Sequence, residues 1–280
     1  MNTFFLDRLN SEPHALAFAG QSTPWPVALA DQSANPALDE ALHTHAAAAQ
    51  ALLYPVSAEL LATTGRPVDL FGFEPNPARL GAAAAASASV PGIALTQLGA
   101  LLDAAALGYN PAQAKPVAVL GHSQGVLAVH MVQAICEAGS IDAAAAKIDE
   151  ILAIATLIGV AGTRQARQLG LAARHGEATP MLSVKDITHA QVDALIERVD
   201  GARGPIAVAV TNSATHYVLS GYPEDLAAFS VEVAKEHKRQ AKLREEKVRG
   251  GRVFGPTLEY LDVTLPFHSC LLYTSDAADE

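Results

Sequence analysis

A serine set between two glycines, Gly121-His122-Ser123-Gln124-Gly125, carries the clearest chemical signal in this 280-residue chain. The apolar run Pro116-Val117-Ala118-Val119-Leu120 comes before it, and Val126-Leu127-Ala128-Val129-His130-Met131-Val132 follows at helical spacing. Strand, glycine-flanked serine and helix form the context in which G-x-S-x-G makes a nucleophile elbow. The glycines are steric requirements, because side chains there would collide with the strand and helix that the sharp turn brings together. Ser123 is then expected at the carboxyl end of a strand. The N-terminus of the following helix offers backbone N–H groups and a positive dipole end to a developing oxyanion. The chemistry this arrangement suits is acyl transfer through an acyl-serine.

A serine hydroxyl needs a base, and histidine is the usual one. Of ten histidines, His43, His45, His175, His189 and His237 lie in polar or alanine-rich stretches and read as surface residues. His122 belongs to the elbow and is expected to point away from the serine oxygen. His268, in Leu265-Pro266-Phe267-His268-Ser269, ends the strand-like run Leu258 to Thr264, the place where a strand delivers an active-site base.

The elements that must position these residues alternate between strand and helix. Ala15-Leu16-Ala17-Phe18 reads as a short buried strand, Ala37 to Leu61 as an alanine-rich helix, and Gly81 to Val90 as a low-complexity loop. Ile93 to Leu107 is predicted as a helix beneath the elbow, and Ala143 to Leu169 as a second long helix after it. This order argues for a parallel sheet flanked by helices. The rhythm changes near residue 177: Met181 to Lys185 is predicted as strand and Thr188 to Val199 as a helix capped by Thr188. Ile206 to Val210 and His216 to Ser220 follow as a strand pair, and Glu224 to Glu236 as helix. The charged stretch Lys235 to Lys242 reads as a solvated helix face, with steering of an acidic carrier or of coenzyme A phosphates as the other reading.

Ala19-Gly20-Gln21-Ser22, Gly121 to Gly125, Thr211-Asn212-Ser213-Ala214-Thr215-His216-Tyr217-Val218-Leu219-Ser220-Gly221 and Pro266-Phe267-His268-Ser269 occur in one order. That order resembles the acyltransferases of fatty acid and polyketide synthesis. With Pro180-Met181-Leu182-Ser183-Val184 and Lys247-Val248-Arg249-Gly250-Gly251-Arg252-Val253-Phe254, the chain looks like the N-terminal acetyltransferase domain of a type I fatty acid synthase, over about residues 14 to 269. It departs from the pattern at Ser22, where the family has glycine. The resemblance implies an α/β fold, a hydrolase-like parallel sheet core with an inserted ferredoxin-like α+β subdomain. Residues 1–176 and 231–269 form the core in this division, and 177–230 the insertion. Ser123 becomes the acylated nucleophile and His268 the general base, facing each other across a cleft. Backbone N–H groups of Gln21 and Gln124 become the oxyanion hole, and Asn212 lines the site near the histidine. In such enzymes a downstream backbone carbonyl orients the base, so a triad carboxylate is not expected. No metal or bound cofactor is implied: acetyl-CoA is the donor substrate, the phosphopantetheine thiol of an acyl carrier protein is the acceptor, and the other synthase domains are the partners.

Malonyl-transferring relatives carry an arginine on the helix after the elbow, where its guanidinium grips the free carboxylate. Here that position falls at Ile158, in Ile151 to Val160, and Arg164 further on reads as a surface residue. An apolar side chain cannot compensate the burial of a carboxylate, so a neutral acyl group such as acetyl is favoured. Malonyl or palmitoyl transfer, a serine thioesterase or hydrolase, and a catalytically silent synthase domain are the alternatives.

Residues 270–280 read as the translation of a sequencing adapter rather than as native protein, which implies a chain truncated just after its base. Without Asp276, Asp279 and Glu280 the chain has 26 acidic against 19 basic residues, still net acidic, which does not favour nucleic acid. Cys136 alone then remains, fitting a reducing cytoplasm and no cysteine-built metal site. No secretory h-region is apparent at the start, and no run of roughly 18 apolar residues to span a membrane.

Overall fold

The computed structural model describes residues 8–21, 23–64, 69–73, 85–171, 178–199, 203–246 and 255–272. Ser22, Gly81 to Ala84, His175, the Lys247 to Phe254 block and residues 273–280 lie outside them. The chain forms two compact units, residues 1–164 and 165–280. The ferredoxin-like segment expected over 177–230 lies inside the second.

In the first unit, β1 (Ala15–Phe18) and β2 (Ala118–Gly121) pair in parallel, with Phe18 opposite Gly121. A 3-10 turn, Ser123–Gly125, leads from β2 into α5 (Val126–Ala138). Before these come α1 (Trp25–Ser33), α2 (Pro36–Thr64), α3 (Ala86–Ala106) and the short α4 (Pro111–Ala114); after them comes α6 (Ala145–Gln168), which runs across the unit boundary. Asn110 caps α4 by accepting the Ala112 N–H at 3.0 Å, and α5 ends on Gly139 in the left-handed region. Trp25, Leu42, Ile93, Leu95, Leu98, Met131, Ile135 and Ile148 are buried in this unit's core.

Three expectations need correction here. The alanine and serine stretch read as loop to Val90 is helical from Ala86. Ala86, Ala88 and Val90 are buried, and the Ser87 N–H, an orphan of the first helical turn, donates to Thr163 Oγ1 at 2.9 Å. Strand Ala15–Phe18 alternates exposed and half-buried, because among the described residues it belongs to a sheet of only two strands. His45 is no surface residue: half-buried, it meets Asp149 of α6 at 2.6 Å. Among the described residues, α3 is one helix long and apolar enough to cross a membrane by length and composition, and 67% of that stretch is buried within the protein. It is built as a core helix is.

The elbow depends on a glycine. A Cβ at Gly125 would lie 2.3 Å from the Phe18 carbonyl oxygen and 2.9 Å from that of Ala19.

The second unit is a four-stranded antiparallel sheet in the order β4 (Ala207–Ser213), β5 (His216–Ser220), β3 (Met181–Lys185), β6 (Thr257–Tyr260). With α7 (His189–Ile196) and α8 (Pro223–Glu246) the segment gives the expected β-α-β-β-α succession, extended by β6. The strand expected over Leu258 to Thr264 stops at Tyr260. Thr188 caps α7 in a full capping box with Gln191. Alternation along β3 sends Leu182 and Val184 into a core with Val192, Leu195, Leu226 and Phe229, and Met181 to the other face with Val218 and Val263.

On the helix side, buried Glu236 of α8 accepts from Arg198 at 2.9 Å, from Arg239 through two contacts of 2.9 and 2.5 Å, and from Gln240 at 2.9 Å. These bonds, those of Arg239 first, hold its carboxyl at about 2, well below the usual carboxylate range.

Two outcomes follow. Gly125→Ala should lower the unfolding free energy by ~1–3 kcal/mol through overpacking, read by denaturant titration. Glu236→Gln should cost ~1.5–3 kcal/mol at pH 7. A depressed carboxyl stabilises fully above its ordinary value of 4.5 and loses that contribution as pH falls to about 2, so the gap between variant and parent should close over that window.

Candidate active site

Ser123 sits at φ 52, in the left-handed region that a non-glycine residue occupies only when its surroundings hold it there. The surroundings are visible. His122 N–H donates to the Phe18 carbonyl at 2.9 Å, and the Gly125 N–H closes the turn on the His122 carbonyl at 2.9 Å. The loop leaving β1 passes directly over the turn: a Cβ at Gly20 would lie 2.7 Å from His122 O and 3.1 Å from Ser123 Cβ.

Gln21 and Gln124 are brought together with Ser123. The Gln21 side-chain amide donates to Gln124 Oε1, and Gln124 Nε2 donates to the Val90 carbonyl of α3 at 2.6 Å. Thr23 Oγ1 donates to Gly20 O at 2.6 Å, and Gln97 Nε2 of α3 to Ala19 O at 2.7 Å. The 3-10 turn Ser123–Gly125 runs directly into α5, so the positive end of that helix's dipole lies close to the serine. Chemically, such an arrangement can serve a serine nucleophile with adjacent backbone donors.

Ile158 lies on α6 and is 46% exposed; Ile154, one turn earlier, is 49% exposed. Arg164 is exposed on the same helix, as the sequence suggests.

His268 and Asn212 belong to the second unit. His268 is exposed, at φ 58, in the turn after Pro266-Phe267. Val263 and Phe267 pack with Met181 and Val218 on the sheet face opposite the helices. Beyond the histidine, buried Ser269 accepts the Leu271 N–H on Oγ at 3.2 Å, and the Leu271 carbonyl accepts from Gln165 Nε2 at 3.4 Å. The turn is therefore anchored on both sides, and Cys270–Leu272, expected to be non-native, packs as a short 3-10 turn with Leu271 buried. Asn212, exposed on β4, has Nδ2 3.4 Å from His216 Nε2, which Ser183 Oγ approaches at 3.1 Å.

Sequence reading did not single out Gln97 or the Ser183–His216 pair. For Gln97 a signal existed: it is a long polar side chain inside the apolar run Ile93 to Leu98. Ser183 lies inside a segment read only as strand, and its pairing with β5 is what reveals the histidine.

Residues 180–260 match the family model of the fatty acid synthase central AT domain. The fatty acid synthase beta subunit hexB of Dothistroma septosporum is 26% identical over 164 residues, covering 54% of this chain and 8% of that protein. Among solved structures, the malonyl CoA-acyl carrier protein transacylase of Clostridium perfringens aligns with TM-score 0.53 and 18% identity over 93% of this chain and 64% of that one. A loading acyltransferase from the avermectin modular polyketide synthase aligns with TM-score 0.54 and 17% identity, over 92% of this chain and 64% of that chain. The chain thus spans less than a tenth of its curated relative and under two thirds of these solved ones. At these identities the solved structures show a common α/β fold. The matched segment, the curated relative and that fold bear out the resemblance drawn from the motifs, that of an acyltransferase domain of a fatty acid synthase.

Proposed function

We propose that this chain transfers an acyl group, acetyl in the first instance, from coenzyme A to the phosphopantetheine thiol of an acyl carrier protein through acyl-Ser123. The observation that carries the reading is Ser123 itself, a left-handed serine at a helix start with the Gln21 loop fixed across it. In the first half-reaction His268 takes the hydroxyl proton as Ser123 Oγ attacks the thioester carbonyl. The oxyanion is held by the Gln21 and Gln124 N–H groups. Collapse breaks the carbon–sulfur bond, and the coenzyme A thiolate leaves with the proton that His268 returns. In the second, His268 deprotonates the carrier thiol, which attacks the acyl-serine, and the serine oxygen recovers its proton. Every step is met by side chains and backbone, so no bound metal or cofactor is required. The carrier and the other synthase domains are the proposed partners, and the cytoplasm the proposed setting.

The acyl group is the finer question. An apolar Ile158 supports a neutral acyl chain, since a malonyl carboxylate in its place would lack a cation. The solved relatives named as malonyl transacylases support malonyl instead.

Intact-protein mass spectrometry after mixing with acetyl-CoA or malonyl-CoA tests both. The expected result is an acetyl adduct on the parent that is lost in Ser123→Ala, which has no hydroxyl to acylate. Coenzyme A release without an adduct would point to hydrolysis. Ile158→Arg should raise malonyl over acetyl loading by roughly tenfold or more; an unchanged ratio would remove Ile158 from the specificity argument.

A further inference from the structure

We propose that Gln97 is a positioning residue for the oxyanion loop: with Val90, it makes α3 the rigid gauge that sets Gln21 and Gln124 against Ser123. This rests on the reading of Ser123 as the acylated nucleophile, and two observations carry it. The β1 exit loop is tied to α3 at Ala19 O by Gln97 Nε2 (2.7 Å), and the elbow is tied to α3 at Val90 O by Gln124 Nε2 (2.6 Å). The two ties are seven residues apart on one helix. Seven residues are close to two full turns, so both fall on the same face, about 10 Å apart along the helix axis. Between them the Gln21 amide donates to Gln124 Oε1, closing a circuit of loop, elbow and helix.

The direction of every bond in that circuit is fixed. Backbone carbonyls at Ala19 and Val90 can only accept, so Gln97 and Gln124 present their NH₂ groups to them. Gln124 must therefore turn its oxygen toward Gln21, whose NH₂ fills it. Among the described residues, the buried oxygens of Gln97 and Gln21 have no hydrogen-bond partner, so these amides are engaged through their donor ends. Rigid donors that need no rearrangement as charge develops are what an oxyanion site requires. A Gln97 that only filled space would do none of this.

Two variants separate hydrogen bonding from volume. Gln97→Met keeps the bulk and removes the donor. Gln97→Glu keeps the shape and sets a carboxylate against the Ala19 carbonyl. Two quantities are measured on the full chain: amide hydrogen exchange in peptides spanning residues 19–21, and single-turnover acylation of Ser123 by acetyl-CoA and by p-nitrophenyl acetate. Thermal unfolding serves as control. The expected order is parent, then Met, then Glu: faster exchange confined to the loop, acylation slower by roughly 10- to 100-fold with both acyl donors, and an unchanged KM for acetyl-CoA. Unchanged exchange and acylation in both variants would overturn the proposal. So would a glutamate variant that behaves as the parent, because shape and not the donor would then be what matters. If the parent is acylated by neither reagent, the serine reading fails on its own, and the exchange data still decide whether Gln97 holds the loop.

Discussion

One carbonyl oxygen organises the first unit. The Phe18 carbonyl ends β1, accepts the His122 N–H at 2.9 Å, and leaves room in front of it for nothing larger than the hydrogen of Gly125. That contact brings the end of one strand, the turn after its parallel neighbour and the N-cap residue of α5 to a single point. Ser123 has to adopt a left-handed backbone to pass it, and the β1 exit loop has to run over the elbow. The Gln21 loop, the α5 N-terminus and the ties to α3 all lie within a few residues of the same crossing, so the site's geometry follows from one close approach of backbone to backbone.

The second unit solves a different problem, that of giving one sheet two unlike faces. Alternation along β3 puts Leu182 and Val184 under the helices while Met181 and Ser183 face the other way. On the helix side, packing is reinforced by the carboxylate of Glu236 among Arg198, Arg239 and Gln240. On the other side, the apolar patch of Met181, Val218, Val263 and Phe267 seats the turn of His268, and the polar pair of Ser183 and His216 lies along the same strands. A one-residue slip of β3 would exchange these roles and bury the polar side chains with the helices.

Features whose signal is local were readable in the chain. The glycines around Ser123, the Thr188 cap and the strands Met181–Lys185 and His216–Ser220 are written in adjacent residues, and the structure has them where the pattern puts them. Features decided by distant partners were not. Alanine and serine near Ala86 have no periodicity to read, and the helix there is settled by burial and by Thr163, 76 residues away. His45 looks like any histidine in an alanine-rich helix until Asp149 is opposite it. Gln97 is 78 residues from the carbonyl it holds. The four-block resemblance bridged part of this gap, because motif order brings long-range information that single motifs lack.

Among the described residues, four other than glycine have left-handed backbones, Lys115, Ser123, Asp186 and His268, and two of them are the proposed nucleophile and its base. A left-handed L-residue is less stable than glycine in the same place by roughly 1–2 kcal/mol. At both of these positions, therefore, the replacement that relaxes the backbone is also the one that deletes the proposed reactive group. Selection of variants for heat resistance alone would drift toward an inert protein at these two sites, so a stabilised form of this domain has to be sought with activity scored in every round.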